Sequence, residues 1–394
     1  MKVLFINTVY GKGSTGRIIR DIGQAVEKAG GQYMVAYGRG ANVDADHSYR
    51  IGGTISVYIH ALLSRITDKA GFYSKNATKA LVKFIRGYDP DVIHLHNLHG
   101  YYINIEILFD YLKKEYKGKV VWTLHDCWAF TGHCVHYAYA GCDKWKTGCH
   151  NCPEKGRYPK SVFVDHSKKN YAKKKRLFTG LQNLTIVTPS SWLAKQANAS
   201  FLGEYPCVMM NNGIDLSIFF PQPVEKNEKM LLNIADGLDE RKGYRDLIAL
   251  MEKLPEDYRL VMVGLKKKDL AKLPESIIPV LRTETMQELA KYYSQAEWFV
   301  NTTYEDTFPT VNIEALGCGT PIITYASGGS PEIIDETCGR VVAVGDVDAI
   351  AQIILENQPF AVEACVQRAQ NFDKQNNYRK YINLYEETLK EKTQ

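Results

Sequence analysis

Short apolar runs alternate with longer amphipathic stretches along most of this chain. Residues 3–6 are apolar in succession, the pattern of a strand buried on both faces. A glycine loop at 11–16 follows, and then 17–29 carries Ile18, Ile19, Ile22, Ala25 and Val26 at helical spacing. The alternation continues with strands expected at 33–37, 92–95, 119–124 and 185–188, and with helices at 53–66, 76–87, 103–117, 166–179 and from 189. Asn211-Asn212-Gly213 is a turn signal, after which the pattern restarts. Strands are then expected at 229–234, 258–263, 297–300 and 321–324, and helices at 243–253, 285–294, 310–316, 346–355 and 374–391. Such alternation in both halves predicts an α/β architecture of two Rossmann-like, doubly wound parallel-sheet domains. We place them at 1–212 and 213–373, with 374–394 as a closing helix. The pattern lapses only at 127–165, a Cys-, His- and Tyr-rich insertion longer than connecting loops usually are.

Composition agrees with a globular chain: 394 residues, 45% hydrophobic and 24% charged, exclude collagen-like, disordered and coiled-coil classes. The charge is divided unequally. Residues 1–212 hold 29 Lys and Arg against 15 Asp and Glu, whereas 213–394 hold 20 against 29. A basic half suits an anionic partner: nucleic acid, a membrane surface or a phosphorylated ligand. The apolar run at 3–6 is too short for a signal peptide, and no apolar run approaches the ~18 residues of a membrane span, so a cytoplasmic protein is expected.

Two acids stand out in the second half. Asp306 falls in a loop after a strand, and Glu314 falls just over a turn into the next helix. Two carboxylates so placed suit the vicinal hydroxyls of a sugar or ribose, although a solvated acidic loop with a helix-start acid is the plain alternative. In the first half, the backbone N–H groups around Gly13 and Gly16 open a helix and suit a diphosphate, although any tight turn would also use glycine. Cys134, Cys142, Cys149 and Cys152, within the Cys-rich stretch 127–152, are spaced for a four-thiolate structural zinc, with His133, His136 and His150 as other ligands. Inert thiols or a disulfide would explain them too. Cys207, Cys318, Cys338 and Cys365 are scattered and read as packing residues. Residues 155–176 carry nine Lys or Arg and one acid, Asp165, which suits an anionic membrane surface or a solvated helix face. No RNA- or DNA-binding pattern accompanies them, so a nucleic-acid partner is not expected.

Several segments, in order along the chain, resemble glycosyltransferase family 4. They are MKVLFINTVYGKGSTGR, NNGIDLSIF, GLDERKG, the run from Asp306 to Glu314, GCGTP and GGSPEII, running from residue 2 to about 340. The resemblance implies the GT-B fold, with two Rossmann-like domains facing a central cleft and the last helix crossing back to the N-terminal domain. It implies a retaining enzyme that needs no side-chain nucleophile and no catalytic metal. It gives Glu314 the ribose hydroxyls and Asp306 the donor sugar, where the family usually has Glu, one methylene longer. Thr307, Phe308, Thr310, Gly13 and Gly16 fall in donor-binding segments. Lys242 matches the family's diphosphate lysine. The arginine usual five residues earlier is Gly237 here, and Arg241 stands in for it. His125 matches a histidine near the donor sugar, with His96, His99 and Asp126 assigned to the acceptor pocket.

The resulting expectation is transfer of a sugar from a nucleotide-diphosphate donor, UDP-linked, to a polyprenyl-diphosphate-linked glycan in surface polysaccharide assembly. The enzyme would be peripheral on the inner face of the membrane. A nucleotide-sugar epimerase or hydrolase, or a silent glycan- or membrane-binding protein, are the alternatives.

Overall fold

The computed structural model describes residues 1–41, 44–356 and 360–390. The chain forms two compact units, Met1–Asn211 joined by the segment from Asn377, and Asn212–Asn376. The expected divisions lay at 213 and 374. Residues 391–394 of the expected closing helix lie outside the described residues.

The first unit contains β1 (Lys2–Val9), α1 (Gly13–Lys28), β2 (Gln32–Arg39), β3 (Ser48–Arg50), α2 (Thr54–Thr67), α3 (Lys75–Tyr88), β4 (Val92–Leu95), α4 (Ile105–Lys114), β5 (Lys119–Thr123), α5 (Ser167–Phe178), β6 (Leu184–Thr188), α6 (Ser191–Asn198) and β7 (Cys207–Met209). Its sheet is parallel throughout, in the order β3-β2-β1-β4-β5-β6-β7. The second unit contains β8 (Asn227–Ile234), α7 (Tyr244–Lys253), β9 (Arg259–Val263), β10 (Ile277–Val280), α8 (Met286–Gln295), β11 (Ala296–Asn301), α9 (Thr310–Gly317), β12 (Ile322–Tyr325), β13 (Gly339–Val342), α10 (Val347–Glu356) and α11 (Val362–Gln370). Its parallel sheet runs β10-β9-β8-β11-β12-β13. The final helix, α12 (Lys374–Lys390), begins in the second unit and continues in the first.

The apolar runs are continuous because both faces of each sheet are covered. In β1, Leu4 and Ile6 enter one core while Val3 and Phe5 enter the other. In β8, Leu231 and Leu232 divide the same way. The tyrosines of α12 belong to the first unit's core: Tyr378, Tyr381 and Tyr385 pack with Val3 and Phe5, and the Tyr385 hydroxyl lies 2.7 Å from His94 Nδ1. Elements absent from the sequence expectation are short or weakly patterned. β3 and β7 have three residues each at sheet edges, and β10 is an edge strand carrying Pro279, which has no N–H to donate. β13 and α11 were also not expected. The 127–165 insertion has one short 3₁₀ turn and is anchored by buried Trp128, Phe130 and Trp145.

Candidate active site

In each sheet the strand order reverses at one place, and loops leaving the strand ends there form the natural ligand crevice of a doubly wound fold. In the second unit the reversal lies between β8 and β11. The segment after β8 makes a 3₁₀ turn, Glu240–Lys242, capped by the Asp239 carboxylate on the Arg241 amide at 3.0 Å. Gly243 ends the turn at φ 71°, where a Cβ would stand 2.1 Å from the Thr302 carbonyl oxygen. That turn is therefore pressed onto the loop after β11, and Tyr304 N–H donates to the Arg241 carbonyl at 2.8 Å. The result is a direct ion pair: Lys242 Nζ lies 2.7 Å from Asp306 Oδ2.

Asp306 is held on both sides. Its Oδ1 accepts from Phe308 N–H at 3.1 Å, and its carbonyl accepts from Gly329 N–H at 3.0 Å. Gly328, at φ 54°, passes so close that a Cβ would meet the same carbonyl oxygen at 1.8 Å. Thr307 and Phe308 are buried, and Thr310 opens α9, whose N-terminus has no side-chain cap. Glu314 is buried and accepts from the Tyr293 hydroxyl at 3.0 Å. Arg241 is partly buried and pairs with Asp239, NH2 to Oδ2 at 2.9 Å. Gly237 has φ 70°, and a Cβ would stand 3.1 Å from Asp269 Oδ2, so the backbone itself disfavours an arginine there.

In the first unit the reversal lies between β1 and β4. Gly13 begins α1 after a loop closed by Gly11 N–H on the Gly16 carbonyl at 3.0 Å, and Lys12 provides no side-chain cap. A Cβ on Gly16 would lie 3.2 Å from the Gly11 nitrogen. Beyond β4 and β5 the histidines gather in pairs. His96 Nδ1 lies 2.9 Å from His125 Nε2, while His96 Nε2 is buried and has no hydrogen-bond partner. His99 Nε2 lies 2.7 Å from Asp126 Oδ2 and its Nδ1 lies 3.0 Å from the Tyr158 hydroxyl. A cavity of about 10 Å³, room for about one water, lies among His96, His99, His125 and Asp126.

Burial disfavours the charged imidazoles: His125 falls to about 4, and His94 and His96 fall well below their usual value. For Asp126 burial acts upward, but the neighbouring His99 and the Trp128 amide outweigh it and hold the carboxyl at about 2. His94 bonds Thr123 and Tyr385 through its two nitrogens and is structural.

The basic segment differs from the sequence expectation. Lys174 is buried, its Nζ donating to the Trp128 and Thr131 carbonyls at 2.8 and 3.1 Å. Lys173 pairs with Glu106 at 2.7 Å. The run 173–175 is thus not one solvated patch.

None of the nine cysteines forms a disulfide. Cys134 and Cys152 share a hydrogen bond that raises the first thiol and lowers the second. Among the described residues no three His, Cys, Asp or Glu side chains stand grouped to hold a metal ion.

Residues missed from the sequence include Tyr293 beneath Glu314, Tyr158 beside His99, and buried Glu305. Tyr158 lies 59 residues from His99, so no local spacing signals their contact.

The family described as glycosyl transferases group 1 matches residues 216–371. Sucrose-phosphate synthase from Thermosynechococcus elongatus is similar in fold, with a TM-score of 0.72 at 17% identity over 99% of each chain. HepE of Anabaena, solved in complex with UDP, has a TM-score of 0.65 at 15% identity over 99% of this chain and 100% of that one. The fold is thus of GT-B architecture, and its second unit carries the match to glycosyl transferases group 1. The chain is 26% identical over 377 residues, 90% of each chain, to the putative colanic acid biosynthesis glycosyl transferase WcaC of Escherichia coli K12. Among the described residues no helix is long and apolar enough to cross a membrane.

Proposed function

We propose that this protein transfers a sugar, with retention of configuration, from a UDP-sugar to a polyprenyl-diphosphate-linked glycan in surface polysaccharide assembly, working at the inner face of the membrane. The observation that carries the reading is the Lys242–Asp306 pair at the strand-order reversal of the second unit, followed by buried Glu314 one turn into α9. In this reading Glu314 accepts from the ribose hydroxyls. Lys242 offers a mobile point charge to the departing diphosphate, where negative charge grows in the transition state. Arg241 supplies a second cation. Asp306 then exchanges part of its contact with Lys242 for a donor-sugar hydroxyl. The anomeric carbon–phosphate oxygen bond breaks, a bond to the acceptor oxygen forms on the same face, and the acceptor's proton passes to the leaving diphosphate. His125, neutral at pH 7, can accept or donate a hydrogen bond without adding charge.

The likeness to the colanic acid transferase WcaC and to a protein solved with UDP supports the polysaccharide and nucleotide parts of this reading. UDP release should be measured across nucleotide-sugars with and without a lipid-linked glycan extract, with the anomeric configuration of the product read by NMR. Acceptor-dependent release with a retained anomer supports transfer. Release without acceptor would make the protein a hydrolase, and no turnover would make it a binding module. The zinc expectation rests on cysteine spacing alone and is separable. About one zinc per chain, whose chelation lowers the melting temperature, would support a structural site. A metal-free chain with an unchanged melt would refute it.

A further inference from the structure

Helix α2 is built inside out. Its buried residues are His60 and Ser64, both polar, at 1% and 2% exposure. Its exposed residues include Ile55 at 75%, Tyr58 at 71%, Leu62 at 58%, and also Ile59 and Ile66. These five occur at helical intervals of three and four, so they form one stripe on the solvent side. A helix of a water-soluble surface normally shows the opposite polarity.

The stripe is extended by a neighbouring strap. Val162 N–H donates to the Arg65 carbonyl at 2.8 Å, which sets Val162 and Phe163 beside the last turn of α2, and Phe163 is 75% exposed. Against the first turns of α2, Ile55, Ile59, Leu63 and Tyr73 line an apolar groove of about 440 Å³ with Lys75 at its rim. The surrounding charge is one-sided. From Thr54 to Tyr88 the chain has six Lys or Arg and one acid, Asp68. That carboxylate is buried, bonded by His133 and by the His166 amide at 2.7 Å. Arg65, Lys69, Lys75 and Lys79 are exposed.

We propose that α2, with Val162 and Phe163, is a docking face for an anionic lipid bilayer. The apolar stripe enters the boundary between headgroups and acyl chains, and the flanking cations meet lipid phosphates. A second copy of this chain or an acidic protein would be less well matched: the first would set like charges together, and the second would leave the apolar stripe unmet. The inference deepens the proposed membrane-borne acceptor by naming the surface, and its test requires neither donor nor acceptor.

The test is co-sedimentation of the full chain with vesicles of equal parts phosphatidylglycerol and phosphatidylcholine, and with phosphatidylcholine alone. The wild type should partition onto the anionic vesicles and at least tenfold less onto the neutral ones. The double variant Ile59→Glu/Leu62→Glu should lose at least tenfold of that partition with an unchanged melting temperature, because both side chains already face solvent. Ile59→Val/Leu62→Val should keep it, and Arg65→Glu/Lys69→Glu should lose severalfold. Equal partition of wild type and the Ile59→Glu/Leu62→Glu variant would overturn the proposal, as would no partition. A concentration-dependent dimer abolished by the same variant, without vesicle binding, would overturn it in favour of self-association. UDP binding by the variant, followed by calorimetry, reports the donor site separately, so failure of docking and failure of the transferase reading give different results.

Discussion

Lys242 Nζ and Asp306 Oδ2 lie 2.7 Å apart although 64 residues separate them in the chain. Each comes from a different loop, and the adjacency of β8 and β11 brings the loops together. The pair is partly solvent-exposed, so its contribution to stability is small. In the proposed function the acid aims the amine toward the departing diphosphate. Lys242→Ala should leave the melting temperature within a few degrees and lower kcat for UDP release by about 100- to 1,000-fold, the range for loss of one electrostatic contact to a transition state. Near-normal turnover would remove Lys242 from the donor site.

Glu314 is oriented from below by Tyr293. Tyr293→Phe removes one hydrogen bond and should weaken UDP binding by about 0.5–1.5 kcal/mol, a fewfold to tenfold effect. Glu314→Ala should weaken it more and abolish transfer. Calorimetric titration with UDP separates the two. Equal, unchanged affinities would mean that this carboxylate is only a core residue.

The buried histidines make the fold acid-sensitive. His60 is held near 3 by burial, with Nε2 accepting from Gly71 N–H at 3.2 Å, and His125 is held near 4. Both values lie below the ordinary ~6.5, so the unfolded chain takes up protons that the native chain refuses. The stability they contribute is intact above about pH 6.5 and is lost as pH falls toward 4. Melting curves should therefore shift down progressively from pH 7 to pH 5. Identical melts across that range would contradict the neutral burial of these rings.

Lys174 should act in the alkaline range. Burial lowers its amine to about 7, below its unfolded value, so the unfolded state binds the extra proton between about pH 7 and 10. Wild-type stability relative to Lys174→Met should rise between pH 7 and 9, read as a widening difference in melting temperature. A constant difference would mean that the native amine stays charged throughout.

The strand–helix alternation was legible because its two periods, unbroken apolar runs and helical spacing, are local properties. The glycines at 237, 243 and 328 were visible as residues, but their necessity was not. It follows from a positive φ or from a neighbouring backbone oxygen that only the fold supplies. The carboxylates were singled out by their spacing and Lys242 by the family resemblance. The partner each one holds was invisible, because Asp306 meets Lys242 and Glu314 meets Tyr293 only once β8, β11 and the helices beside them have packed.

The sequence by itself determined two parallel α/β units, the unequal division of charge, and the residue types available to each loop. These follow from periodicity and composition. Tertiary structure alone decided which members of a run are used. In the stretch 173–175, Lys173 pairs with Glu106, Lys174 enters the core and Lys175 faces solvent. Successive helical side chains point about 100° apart, and what lies in each direction depends on residues distant in the chain. The same reason explains α2. Its apolar stripe could be read from the spacing, but packing turned that stripe outward and set His60 and Ser64 inside.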